Sequence, residues 1–403
     1  MSKRILFLTP QLPYPPQQGT AIRNYNLIAQ VARQHEVHLL SFTDTEVDPG
    51  PLRDVCASLK TVPAPRRSDW RRLVTVVSSP LPDIAHRLSS VLLQQELAAM
   101  LRGTHVDVLQ IEGLEMAQYG LRARQFEGTE APLLVFDAHN AEYVLQRRIF
   151  EMDSRRPHRW LGALYSLIQW AKLRRYEANV CRQMDRVIAC SEPDAQTLAR
   201  LVAGVKPIVV CNGVDTHYYG PAVVFPAPLA AEALVFTGKM DFRPNVDAVL
   251  WFCAKVLPAI QRVAPQAHFY VVGKSPHPRL SSLVGKPGIT ITGFVEDPRP
   301  YIAGAMVYVV PLLTGGGTRL KVLEAMAMGK PIVSTTLGCE GIQATRERDI
   351  VLADGAEGFG QRVLGLLGNE AQRLRLGCAA RAFVEQHFSW ETVTAPLERA
   401  YER

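Results

Sequence analysis

Pro311-Leu-Leu-Thr314-Gly315-Gly316-Gly317-Thr318-Arg319-Leu320-Lys321-Val-Leu323-Glu324-Ala-Met-Ala-Met-Gly329-Lys-Pro331 is the most informative stretch of the 403-residue chain. The apolar run Val307 to Pro311 ahead of it reads as a buried strand, the three glycines as a loop, and Leu320 onward as a helix that Gly329 and Pro331 stop. Glycines let a backbone come close to a ligand, and free amides at a helix start attract anions. Lys321 and Glu324 fall on one helix face, while Gly316 and Glu324 are eight residues apart, roughly 12 Å of helical rise. That length suits a diphosphate at one end and a ribose held by a carboxylate at the other. The competing structural reading is a glycine loop needed only for tight strand-to-helix packing, with Glu324 solvated. The loop matches neither G-x-x-x-x-G-K-[ST] nor G-x-G-x-x-G.

Outward from this stretch, short β-branched runs alternate with helix-length segments, the signature of parallel α/β sheets. The first half predicts strands at Arg4 to Leu8, Val37 to Phe42, Val106 to Ile111, Leu133 to Asp137, Arg186 to Cys190 and Pro207 to Cys211. The second predicts them at Leu234 to Thr237, His268 to Val272, Gly288 to Thr292, Val307 to Pro311, Ile332 to Thr335 and Ile350 to Leu352. The expected fold class is therefore α/β, with two Rossmann-like, doubly wound parallel-sheet domains. Glycines and prolines cluster after Asn212-Gly-Val-Asp215, which sets the expected boundaries: a first domain over 1–212, a hinge over 213–232, a second domain over 233–386, and a C-terminal helix over 387–403 returning to the first. No dinucleotide fingerprint follows the first strand, so an NAD site is disfavoured.

Composition narrows the class. With 47% hydrophobic and 21% charged residues, the chain is neither disordered nor collagen-like. Its seven cysteines are odd in number and include no Cys-x-x-Cys pair, which argues for a reducing compartment and against a zinc site. The apolar run at the N-terminus stops at Thr9-Pro10, too soon for a signal peptide, so the expected location is cytoplasmic, peripheral at most. The net charge of +7 is concentrated: residues 147–186 hold ten basic against four acidic side chains, with Trp160, Leu164, Leu167, Ile168 and Ala171 at helical spacing. A second basic knot, Arg66-Arg67-Ser-Asp-Trp70-Arg71-Arg72, carries its own aromatic. A basic amphipathic helix of this kind fits an anionic membrane surface or, equally, a core-facing helix with solvated arginines. Nucleic acid is the weaker partner, because no recognised module accompanies the charge.

The two halves, the Gly-rich loop running into Glu-Ala-Met-Ala-x-Gly-x-Pro, the Asn-Gly-Val-Asp hinge and the C-terminal return helix together resemble glycosyltransferase family 4, over essentially the whole chain. The start Pro-Tyr-Pro-Pro-x-x-Gly with Arg23-Asn24, and the Gly-Gly-Gly-Thr-Arg-Leu-Lys form of the loop, are similar to the branch found among bacterial exopolysaccharide sugar transferases. The resemblance implies the GT-B fold, with the two domains facing across a cleft. It implies that Glu324 is the second glutamate of E-x7-E, which holds the ribose hydroxyls; Gly316 stands where the first would be, so that Gly317 and Thr318 are left to contact sugar or phosphate through their amides. Lys239, after Gly238, matches the family's first basic residue of the second domain. The usual second lysine is replaced at Pro244-Asn245, and Arg243, Arg319 or Lys321 would supply its charge.

By the same resemblance Gly293-Phe294-Val295 reads the base edge, His139 lines the donor-sugar pocket, and Gly19 with Thr20 forms the first glycine loop, Gln18 replacing one glycine. Taken by themselves, Asp137 and Asn140 fit helix caps, a lone histidine is usually structural, and Glu112 and Ser191 at strand ends read as structural too. No Asp-x-Asp, G-x-S-x-G or H-E-x-x-H occurs. What the resemblance implies is a metal-independent retaining transferase. It would use a UDP- or GDP-sugar as co-substrate, with no resident cofactor, and a polysaccharide, lipid-linked or other glycan acceptor. A catalytically silent docking subunit of a polysaccharide assembly complex, or a sugar-nucleotide epimerase, are the alternatives.

Overall fold

A computed structural model describes residues 2–16, 19–44, 48–124, 131–155, 159–314 and 319–402. The glycine loop Gly315, Gly316, Gly317 and Thr318 lies outside the described residues, as does Gln18. The chain forms two compact units, one of residues 1–211 and 394–403, the other of residues 212–393.

The first unit contains strands β1 (Arg4–Thr9), β2 (Glu36–Thr43), β3 (Ser58–Pro63), β4 (Val108–Glu112), β5 (Leu133–Ala138), β6 (Arg186–Ala189) and β7 (Ile208–Val209). They pair in the order β3-β2-β1-β4-β5-β6-β7, every pair parallel. The second holds β8 (Glu232–Thr237), β9 (Ala267–Val272), β10 (Ile289–Gly293), β11 (Val307–Val310), β12 (Ile332–Ser334) and β13 (Val351–Leu352), in the parallel order β10-β9-β8-β11-β12-β13. The first strand of each sheet has an apolar core because both its faces are covered: Ile5 to Leu8 and Ala233 to Phe236 are fully buried. In each sheet the order reverses beside the first strand, between β1 and β4 and between β8 and β11. Loops leaving the carboxyl ends of those strands diverge there and open a crevice.

Two expectations change. β3 is a strand the sequence pattern does not predict, since Ser58-Leu-Lys-Thr-Val-Pro63 is half-exposed at the sheet edge and shows no apolar run. The segment 213–232, expected as a hinge, packs within the second unit: Val214 N–H donates to Phe388 O (2.8 Å), and a Cβ on Gly213 would sit 2.8 Å from the Trp390 ring. Phe388 to Val393, expected with the returning helix, stay in that unit, and the chain re-enters the first unit at Thr394. There Tyr401 is buried, and its carbonyl accepts from Lys3 Nζ. All seven cysteines are free thiols. Among the described residues no helix is long and apolar enough to cross a membrane.

Candidate active site

In the second unit the site grows from the carboxyl end of β8. Gly238 follows it with φ +154°, and a Cβ there would meet Lys321 Nζ at 2.7 Å and Asn245 Nδ2 at 2.8 Å. A Cβ on Gly273 would strike Gly238 O at 1.8 Å, so both positions require glycine. The space this leaves receives Lys321 from the helix Leu320–Ala327. Its ammonium lies 4.1 Å from the centroid of the Phe236 ring and donates to Asn245 Oδ1 (2.8 Å). Asn245 Nδ2 in turn donates to Lys239 O (2.8 Å), so one amide ties the helix cation to the strand-end loop. Burial first, then the neighbouring Arg319 charge, pulls Lys321 down to about 7 against the pull of Glu324.

One turn further along, Glu324 accepts a hydrogen bond from the Tyr219 hydroxyl (3.1 Å), and burial raises its pKa. Tyr219 is delivered by the Asn-Gly-Val-Asp stretch: Asp215 Oδ1 accepts from the amides of His217 (3.0 Å) and Tyr218 (2.8 Å), an Asx turn. Arg299 then fixes Tyr218, stacking 3.6 Å over its ring and donating to its carbonyl (2.9 Å) while gripping Asp297. Of the remaining predicted residues, Arg319 is buried just ahead of the helix. Lys239 is half-exposed beside Asp241 (3.3 Å). Arg243 lies 3.5 Å from Asp247, which Arg279 also grips (2.7 Å). Phe294 stands exposed after Gly293, whose φ of +71° turns the chain at the end of β10, with Val295 partly buried beside it.

In the first unit a buried cluster gathers at the ends of β4 and β5. Arg23, from the helix Gly19–Val31, donates to both oxygens of Asp137 (2.8 to 3.0 Å) with neither side chain reaching solvent. His139 Nε2 pairs with Glu112 Oε2 (2.9 Å), and Gln110 donates to the other Glu112 oxygen (2.9 Å). In the orientation its neighbours require, the Asn24 amide donates to Glu112 Oε2 (2.9 Å) and Thr20 O (3.3 Å), tying Gly19 and Thr20 to the cluster. Burial opposes charge on His139, but the Glu112 hydrogen bond and the Asp137 charge outweigh it and raise its pKa. Two carboxyl groups thus face a guanidinium and an imidazole, and burial, with the Asp137 charge beside it, also raises the pKa of Glu112. Glu112, Asp137 and His139 also have the spacing of a metal-ligand set, but the guanidinium already neutralises Asp137. Nε2 being engaged, Nδ1 is the ring nitrogen beside Gly113, where φ is +84° and a Cβ would sit 3.5 Å away.

Beside this cluster Glu177 receives the amides of Glu142 and Tyr143 (3.1 and 3.0 Å), capping the helix Glu142–Ser154 from a neighbouring one. Burial pushes Glu177 up to about 8 from 4.5. A carboxyl whose folded pKa is raised favours folding fully below its unfolded value, and that advantage is lost as pH climbs through the folded one. The first unit should therefore melt progressively lower between pH 5 and 8.5, and Glu177→Gln should flatten that slope in calorimetry. An unchanged slope would acquit Glu177.

A family model described as Glycosyltransferase Family 4 matches residues 18–218, and one described as Glycosyl transferases group 1 matches residues 231–369. The chain belongs to glycosyltransferase family 4. Among curated relatives of this family 4 chain, a phosphatidyl-myo-inositol mannosyltransferase of Mycolicibacterium smegmatis is 28% identical over 49% of the chain and 52% of that protein. A GDP-mannose-dependent mannosyltransferase of Corynebacterium glutamicum, acting on a monoacylated phosphatidylinositol monomannoside, is 25% identical over 45% and 52%. The chain spans about half the length of the curated relatives it matches. Anabaena Alr3699/HepE, solved with UDP and glucose, superposes with a TM-score of 0.67 at 14% identity over 98% of both chains. Sucrose-phosphate synthase from Thermosynechococcus elongatus gives 0.70 at 18% identity over 99% and 98%. The fold of this family 4 chain is GT-B.

The structure brings Gly238, Lys321 and Glu324 together in the second unit, with Lys239 joined through Asn245, and it sets His139, Gly19 and Thr20 in the first. Asn245, Tyr219 and Arg23 complete these clusters without being expected there, and Glu112 and Asp137, expected as structural, join them. For Tyr219 no local signal existed, since its hydroxyl reaches Glu324 across 105 residues of sequence. Nothing in the spacing links Arg23 to Asp137, which lie 114 residues apart.

Proposed function

We propose that this chain is a glycosyltransferase that moves a sugar from a UDP- or GDP-sugar to a polysaccharide, lipid-linked or other glycan acceptor, with retention of configuration and without a metal. One observation carries the reading: a largely desolvated ammonium and a carboxyl stand one helical turn apart at the point where the second sheet reverses order. Anionic diphosphate suits the first and ribose hydroxyls the second. The UDP held by Alr3699/HepE and the mannosyl transfer named for the curated relatives support it.

In this reading Glu324 exchanges the Tyr219 hydroxyl for ribose hydroxyls, and Phe294 and Val295 meet the base. Lys321, Arg319 and Lys239 face the diphosphate. Fixed cations stabilise the charge that collects as the sugar–phosphate bond breaks, the role a metal serves elsewhere. A leaving phosphate oxygen takes the acceptor hydroxyl proton as the new glycosidic bond forms. The family resemblance assigns His139 to the donor sugar and the acceptor to the first unit. The glycine loop Gly315 to Thr318 contributes amides.

Glu324→Ala should weaken UDP or GDP binding about tenfold or more, the loss of a charge-assisted hydrogen bond. Titration calorimetry reads it directly. Unchanged affinity would remove the ribose role, and no nucleotide binding by the wild-type chain would favour a docking subunit over an enzyme.

A further inference from the structure

We propose that the first unit carries a bilayer-docking face, built jointly by the helices Asp69–Ser78 and Trp160–Gln183, that rests on a membrane rich in anionic lipid. The inference goes beyond the transferase reading and does not depend on it.

The long helix buries Ala163, Ser166, Leu173 and Tyr176 against its own unit. Its opposite stripe leaves Trp160 (65%) and Leu161 (87%) in water, with Leu164 and Leu167 continuing it. The shorter helix repeats the arrangement: Trp70 (73%), Val74 and Val77 (88%) recur at spacings of four and three residues, one face of a helix. Two such stripes are surface-exposed apolar area of the kind that marks an interaction site, unlike singly scattered residues.

The stripes are fastened together. Lys172 Nζ, reaching from the long helix, donates to the carbonyls of Val76 and Ser79 (2.6 Å each) at the end of the short one, where a cation also meets the favourable end of the helix dipole. Buried Gln169 accepts the Asp83 amide (2.8 Å) four residues further on. Lys172 and Gln169 thus hold the carboxyl end of the short helix, and the turn after it, against the long one.

Charge names the occupant. Exposed Arg66 and Arg72 flank one stripe, and exposed Arg155, Arg174 and Arg175 flank the other. Tryptophan and leucine among arginines suit the headgroup boundary, with rings at the interface and guanidinium groups on lipid phosphate. A second copy of the chain would set like-charged rims against each other across a two-fold axis.

Flotation of the full chain with phosphatidylcholine vesicles, with and without phosphatidylglycerol, tests the proposal. Binding should require phosphatidylglycerol and fall at high salt. Trp160→Ser with Leu161→Ser, and separately Trp70→Ser with Val77→Ser, should each weaken it about tenfold or more while leaving the melting temperature and nucleotide affinity unchanged. Equal flotation with both vesicle types, or variants that float like the wild type, would overturn it. So would a dimer in sedimentation that the Trp70→Ser, Val77→Ser variant dissociates, because a second copy would then cover the face. Nucleotide binding is read apart from vesicles, so failure here leaves the transferase reading standing.

Discussion

Lys321→Met should lower turnover about 100- to 1,000-fold, the usual cost of removing one fixed donor from a site where negative charge develops. The melting temperature should not fall with it, since the substitution removes a charge that burial already disfavours: Lys321 sits near 7 rather than 10.5. Its depressed pKa also fixes a pH signature. The free protein holds Lys321 charged below about 7 and neutral above. A diphosphate favours the charged form, so binding above that point takes up a proton. UDP affinity should fall between pH 7 and 9, by up to about tenfold per unit, above the range where the phosphate itself titrates. The slope should vanish in Lys321→Met. Asn245→Asp should move it to higher pH by adding a negative partner to the same ammonium. Because Asn245 touches Lys321 at 2.8 Å, a lysine placed there can return the cation: Asn245→Lys in the Lys321→Met background should recover part of the lost turnover. Titration calorimetry over this pH range, with initial-rate assays, decides. A pH-independent affinity in the wild type would place the diphosphate away from Lys321.

Asp137→Ala should destabilise the first unit by about 3 to 5 kcal/mol, because it removes the carboxylate that pairs with Nε and Nη2 of the fully buried Arg23 guanidinium. For a unit of this size that corresponds to a melting temperature lower on the order of 10 °C, read by scanning calorimetry. The double change Arg23→Met with Asp137→Leu should recover most of the loss, since it removes both charges and fills the space with apolar atoms. Were Asp137→Ala to melt like the wild type, the pair would not be the buried contact described above. Its position explains the stakes: without Asp137, the helix that bears Thr20 and Asn24 keeps its Asn24 bond to Glu112 but loses the Arg23 bond to the end of β5.

How much of this was legible depends on sequence distance. The parallel strands could be read because each is a short, self-contained apolar run whose burial on both faces removes polar residues, as in β1 and β8. The edge strand β3 could not, since one exposed side erases that signal. Lys321 and Glu324 were legible as a pair because the helical repeat alone puts residues three apart on one face. The family motif gave Glu324 its expected partner but not Tyr219, 105 residues earlier, whose hydroxyl reaches it from a segment that read as a hinge.

By itself, then, the amino-acid order determined the two α/β units, the strand that ends at Val310 and the helix that starts at Leu320, and the residue types able to meet a nucleotide diphosphate. These follow from local rules of periodicity, glycine freedom and helix termination, which act over a few residues. Only the tertiary structure decided that Asn245 holds Lys321, that Arg23 neutralises Asp137, and that Lys172 lays one tryptophan-bearing helix against another. Each of those contacts joins segments 76 or more residues apart, and at that separation a pairing is set by which strands lie adjacent in the sheet and how the covering helices pack.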